Sequence, residues 1–160
     1  AITNAKVLAE DKLFATLDPT SRRLNFPRDR EVIITDTVGF IRDLPKDLVA
    51  AFRATLEELY DASLLLHVVD ANDPARDEQV EAVETILNSL GLMEKPRLMV
   101  WNKADLLAPE EVETLLRSQG GVAISAAKRE GLATLLAKAD TTLFAEGASE
   151  SMGVVQAPGV

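Results

Sequence analysis

The chain reads as an α/β domain, a mostly parallel sheet with helices on both faces. Three observations predict this. Apolar runs, "EVIITD" (31–36), "SLLLHVVDA" (63–71), "RLMVWNKAD" (97–105) and "VAISAA" (122–127), alternate with amphipathic stretches. The run at 63–71 is continuously apolar, as a strand buried on both faces requires. Each run also ends in polar residues: Asp36, Asp70, Asn102 to Asp105, and Ser125. Ligands of open parallel sheets bind beyond the carboxyl ends of the strands. Polar groups gathered at that edge therefore predict a site.

The elements follow in order. "RRLNF" (22–26) and "EVIITD" flank Pro27 and polar residues, which predicts a hairpin. "PKDLVAAFRATLEELYDA" (45–62) opens on Pro and carries Leu48, Phe52, Leu56 and Leu59 at helical spacing. The stretch 73–91 predicts a helix with an Asp-Pro cap, an apolar face of Val80, Val83 and Leu87, and a stop at Gly91. A helix over 108–121 closes at Gly120 and Gly121, and a last helix covers 130–145. The tail, 146–160, is small, polar and Gly-containing, and is expected to be loose.

Length and composition narrow the function. With 160 residues, 47% apolar and 27% charged, the chain suits one domain with one sizeable core. No apolar run approaches the roughly 20 residues of a membrane span. There is no cysteine, which excludes disulfides and thiol metal sites and agrees with a cytoplasmic location. The net charge of −9 repels phosphate, so no specific DNA partner is expected. Any RNA contact must come from a local basic patch. Arg22, Arg23, Arg28 and Arg30 are the candidates, though charge on a hairpin edge also serves against edge pairing.

"WNKAD" carries the most specific chemistry. At the end of a buried strand, Asp105 would accept two hydrogen bonds from guanine, one from the ring N–H and one from the exocyclic amine. Adenine offers no such pair of donors. Asn102 would tie neighbouring loops together, and the Lys103 stem would pack on the flat face of the base while its ammonium stays wet. Ser125 and Ala126 follow the next strand, where two backbone N–H groups could meet the guanine carbonyl.

Upstream, Asp36-Thr37-Val38-Gly39 has the spacing of a γ-phosphate sensor. Asp36 would hold Mg²⁺ through water, and Gly39 would offer its N–H where a side chain would block approach. A threonine in the preceding loop would complete the Mg²⁺ shell. Thr16 is preferred and Thr20 is the alternative. Phe40 stands where many nucleotide hydrolases place a water-orienting Gln. His67, the one histidine, sits inside an apolar strand and is expected to be buried rather than catalytic.

"VLAEDKLFATLDPTSRR", "DTVGFIRDLP", "LVAAFRATLEE" and "NKAD", in this order, resemble the GTPase domain of the HflX family over about residues 4–145. The resemblance implies a three-layer, Ras-like P-loop GTPase domain of the translation-factor class. It implies GTP and GDP as ligands, Mg²⁺ as cofactor, and the large ribosomal subunit as partner, in rescue or splitting of stalled ribosomes. It assigns Thr16 to switch one, Asp36 to Gly39 to switch two, and Asn102, Lys103, Asp105, Ser125 and Ala126 to the base. It also places Phe40 among GTPases with a hydrophobic residue at the Gln position.

One departure stands out. No G-x-x-x-x-G-K-[ST] occurs in the 160 residues, so the phosphate cradle and its Lys have no counterpart. The expectation is a partial GTPase domain over 1–145, with the first strand and P-loop missing, followed by a flexible tail. Strands 31–36 and 63–70 would then lack the partner between them, giving marginal stability and weak GTP binding. The alternative is a non-catalytic GTPase-like interaction module.

Overall fold

The computed structural model describes residues 20–26, 30–36, 59–144 and 151–156. Strands β1 (Thr20–Phe26) and β2 (Arg30–Asp36) form the expected hairpin, antiparallel, with Thr20 opposite Asp36. Residues 59–61 are helical and 62 is not, and 45–58 of the helix expected at 45–62 lie outside the described residues. Strand β3 (Leu64–Asp70) leads to helix α1 (Arg76–Ser89) and strand β4 (Arg97–Asn102). A short 3₁₀ turn (Ala104–Leu106) precedes helix α2 (Pro109–Gln119) and the two-residue strand β5 (Val122–Ala123). Helix α3 (Leu132–Phe144) and strand β6 (Ser151–Gln156) follow.

The strand order is β1-β2-β6-β3-β4-β5, and every neighbour beyond the hairpin is parallel. Alternation along β3 divides the core. Leu64 and Leu66 join Val32, Val100 and the α3 residues Leu135, Ala139 and Leu143. Leu65 joins Leu59, Val83 and Leu87, and Val69 joins Trp101 and Leu115. Thus α1 and α2 cover one face and α3 the other, in three layers. The i, i+4, i+8 spacing of Leu135, Ala139 and Leu143 gives α3 its single buried stripe. Trp101 is 1% exposed, and its indole N–H donates to the Gly120 carbonyl at 2.9 Å, so its burial leaves no orphan donor.

Strand β6 arises within the segment expected to be loose. It lies between β2 and β3, pairing Thr35 and Leu65 with Gly153 and Leu66 with Val154. The reason is non-local. Without it β2 and β3 would each present an unpaired row of backbone groups in the middle of a sheet, at about 1–3 kcal/mol for each buried orphan. Two adjacent valines supply enough strand preference for the tail to fill that slot. The slot predicted to lack a partner therefore has one.

Two further boundaries differ from expectation. Helix α1 begins at Arg76, not Asp73, with Ala75 at its N-cap. Asp73 instead folds the turn before it, accepting the Ala75 N–H at 2.8 Å and Gln79 Nε2 at 2.8 Å. The strand expected over 122–127 stops at Ala123, because the chain then reverses through a tight hairpin.

Candidate nucleotide-binding site

The carboxyl ends of β2, β3 and β4 place Asp36, Asp70 and Asn102 at one edge, with Asp70 and Asn102 in register. Beyond Asn102 the chain must turn sharply. Lys103 adopts a left-handed conformation, φ 59°, and the 3₁₀ turn that follows carries Asp105. The Ala104 N–H donates to the Ile124 carbonyl at 3.0 Å, so this turn is stitched to the segment after β5.

Asn102 performs the expected linking. Its Oδ1 accepts the Ala126 N–H at 3.0 Å, joining the end of β4 to the loop past β5. That loop is a closed hairpin in which Ser125 and Glu130 exchange two backbone hydrogen bonds of 3.1 Å each. Gly131 follows with φ +73°, and a Cβ there would lie 2.3 Å from the Ala123 carbonyl oxygen. Only glycine permits that crossing.

The N–H groups of Ser125 and Ala126, expected to face the guanine carbonyl, donate here to Glu130 O and Asn102 Oδ1. Closing the hairpin and tying it to β4 takes both donors. Ser125 contributes through its side chain as well. Its Oγ accepts the Lys128 N–H at 3.1 Å, and its hydroxyl bonds the Asp105 carboxylate.

Asp105 is the best-supported carboxylate of the group. Its side chain is 12% exposed, and Lys128 Nζ lies 3.3 Å from its Oδ2. The Ser125 hydroxyl first, and the Lys128 ammonium with it, hold its pKa below the ordinary carboxylate value against the opposing effect of burial. It is therefore a fixed, charged acceptor at neutral pH. It lines a hollow of about 390 Å³ with Ser125, Glu130 and Gly131, walled by Leu107 and Val112.

The Lys103 ammonium is anchored 2.8 Å from Asp70 Oδ2 while its side chain stays 40% exposed. The same Asp70 carboxylate accepts the Asn72 N–H at 3.0 Å. Neither Asp70 as anchor nor Lys128 as partner of Asp105 was predicted by motif. The offset of Lys128, three residues after Ser125, is the one available signal, since a serine so placed often accepts a backbone N–H.

Thr16, Gly39 and Phe40 lie outside the described residues. Thr20 opens β1 across from Asp36, whose backbone closes β2 at the shared edge. His67 is fully buried in β3, and its ring nitrogens find no hydrogen-bond partner among the described residues. Burial first, and the Arg97 charge second, lower its pKa to about 4, so it is a neutral core residue. Among the described residues no cluster of three or more His, Asp or Glu side chains could hold a metal ion, and no helix is long and apolar enough to cross a membrane.

Comparison with known proteins places the chain in a family. The family described as "50S ribosome-binding GTPase" matches residues 1–103. A GTPase HflX from Caldanaerobacter subterraneus subsp. tengcongensis is 52% identical over 146 residues, covering 91% of this chain and 33% of that protein. The GTPase HflX of Magnetococcus marinus is 47% identical over 138 residues, covering 86% of this chain and 32% of that protein. The GTPase HflX of Escherichia coli K12 is 56% identical over 106 residues, covering 66% and 25%. The chain thus spans about a third or less of the length of these curated relatives. With more than half of its length matched, the chain belongs to the 50S ribosome-binding GTPase family, among the HflX GTPases.

Proposed function

We propose that this chain forms the guanine-reading half of a GTP-hydrolysing site in an HflX-type GTPase that associates with the large ribosomal subunit, in rescue or splitting of ribosomes. The observation that carries the reading is Asp105, a charged and nearly buried acceptor fixed by Ser125 and Lys128 beside the Asn102 tie. Such a carboxylate suits the two N–H donors of guanine and repels the acceptor edge of adenine. Mg²⁺ fits the acidic edge in kind, since it binds through one or two carboxylates and keeps several waters. Asp36 is the residue proposed to hold it, with Thr16 or Thr20, and Gly39 to face the γ-phosphate. When bound, the ion would neutralise charge on the phosphates.

A second reading has its own observation. Strand β6 fills the slot between β2 and β3. That favours a module that reads the base while holding phosphate weakly. Titration of GDP, ADP and guanosine, followed by backbone amide shifts, tests both. The base reading expects shifts at 102–105 and 125–130 with GDP and none with ADP. Equal affinity for GDP and guanosine supports the second reading, and a strong preference for GDP supports the first. Equal response to GDP and ADP would sink both.

A further inference from the structure

We infer that Lys128 is a positioning residue for base recognition, the counter-ion that keeps the Asp105 carboxylate aimed and charged while guanine covers it. The inference rests on the base-reading role proposed for Asp105 and adds a residue from outside the Asn102–Asp105 run. Lys128 reaches across from the hairpin, placing Nζ 3.3 Å from Asp105 Oδ2. Its backbone is held at both sides. The Lys128 N–H donates to Ser125 Oγ at 3.1 Å, and the next residue, Arg129, turns through φ 61° into the Ser125–Glu130 pair. A long side chain that starts from so fixed a point loses less freedom in reaching one partner.

The pair is of unequal exposure, with the Lys128 side chain 55% exposed and that of Asp105 12%. An ion pair with one partner in water adds little to folding. Its value rises when a flat base covers Asp105, because expelling water lowers the local dielectric and strengthens the attraction. A carboxylate offers about four lone-pair positions, and the Ser125 hydroxyl, the Lys128 ammonium and the backbone N–H of Asp105 itself share three of them, so guanine's second donor must share a position that Lys128, the more exposed partner, can yield. Among the described residues the other lysine beside the site, Lys103, has its ammonium held 2.8 Å from Asp70.

The test is GDP binding, read from amide shifts, in the parent chain, Lys128→Gln and Lys128→Arg, beside their melting temperatures and an ADP control. Gln is expected to weaken GDP binding about three- to tenfold, the effect of a pair worth up to about one exposed ion pair or slightly more. Arg is expected to restore most of the affinity. The melting temperature should stay within a degree or two, and ADP should be indifferent to the change. Unchanged GDP affinity in Lys128→Gln, or a loss that tracks a lower melting temperature and is not restored by Arg, overturns the role of Lys128 alone. A parent chain that binds no GDP overturns the base reading itself, and the role of Lys128 with it.

Discussion

Lys103 Nζ stands 2.8 Å from Asp70 Oδ2, linking the turn after β4 to the carboxyl end of β3. Since Asp70 and Asn102 are register partners, the bridge fixes the first residue beyond β4 against the strand beside it. The Lys103 stem thereby has one direction, along the edge where a base would lie. Asp70→Asn keeps the Asn72 N–H acceptor and removes the charge. It is expected to cost at most about 1 kcal/mol in urea unfolding, because the lysine is 40% exposed and the pair is partly screened. Amide shifts of 103–105 should move more than those of α1. A loss well above that figure would mean the bridge supports the fold rather than the site.

His67 predicts an acid limb of stability. Its folded pKa is about 4 and its ordinary value 6.5. Between those values the unfolded chain takes up a proton that the folded chain refuses. Stability is therefore full above pH 6.5 and declines as pH falls to about 4, by about 3 kcal/mol in all. His67→Leu should remove this part of the slope and be no less stable at pH 7.5, since it also removes an unpartnered buried N–H. Urea melts at pH 4.5, 6 and 7.5 check it. A parallel pH dependence in variant and parent would contradict the burial argument.

Gly131 is expected to be intolerant. Alanine there must hold φ +73° and place Cβ 2.3 Å from the Ala123 carbonyl oxygen. The predicted cost is about 2 kcal/mol or more, with displacement of the 125–130 hairpin seen in its amide shifts. Gly120→Ala is the control, because it shares a positive φ but meets nothing within 4 Å. It should cost less.

Strand β6 is expected to be structural. Val154→Pro removes a ladder donor from a strand paired on both sides. Its cost should be about 3 kcal/mol or more, read as loss of a cooperative thermal transition. A variant that melts like the parent would mean that the sheet does not need this strand.

These cases show what was legible in advance. The hairpin, the strand–helix alternation and the polar edge depend on local periodicity and composition, so they could be read directly. The gathering of Asn102, Lys103 and Asp105 at the end of β4 was legible because the apolar run before them marks a strand and the polar residues mark its end. The hairpin that shortens β5 was not, since it depends on a glycine crossing a carbonyl from another segment. The pairing of Lys128 with Asp105 and the insertion of β6 were hidden for the same reason. Both are contacts between distant segments, and β6 is decided by the needs of its neighbours more than by its own composition.

The most direct measurement is base preference after Asp105→Asn. The amide keeps the size of the side chain and presents an N–H where guanine's amine needs an acceptor. Xanthine carries a carbonyl at that position. Titrations of the parent and Asp105→Asn with GDP and xanthosine diphosphate should show GDP binding weakened on the order of 10- to 100-fold, the loss of a charge-assisted contact. Xanthosine diphosphate should gain affinity in the same variant. Equal GDP affinity in variant and parent, or a loss of GDP with no gain for xanthosine diphosphate, would contradict the assignment of Asp105 as the residue that reads guanine.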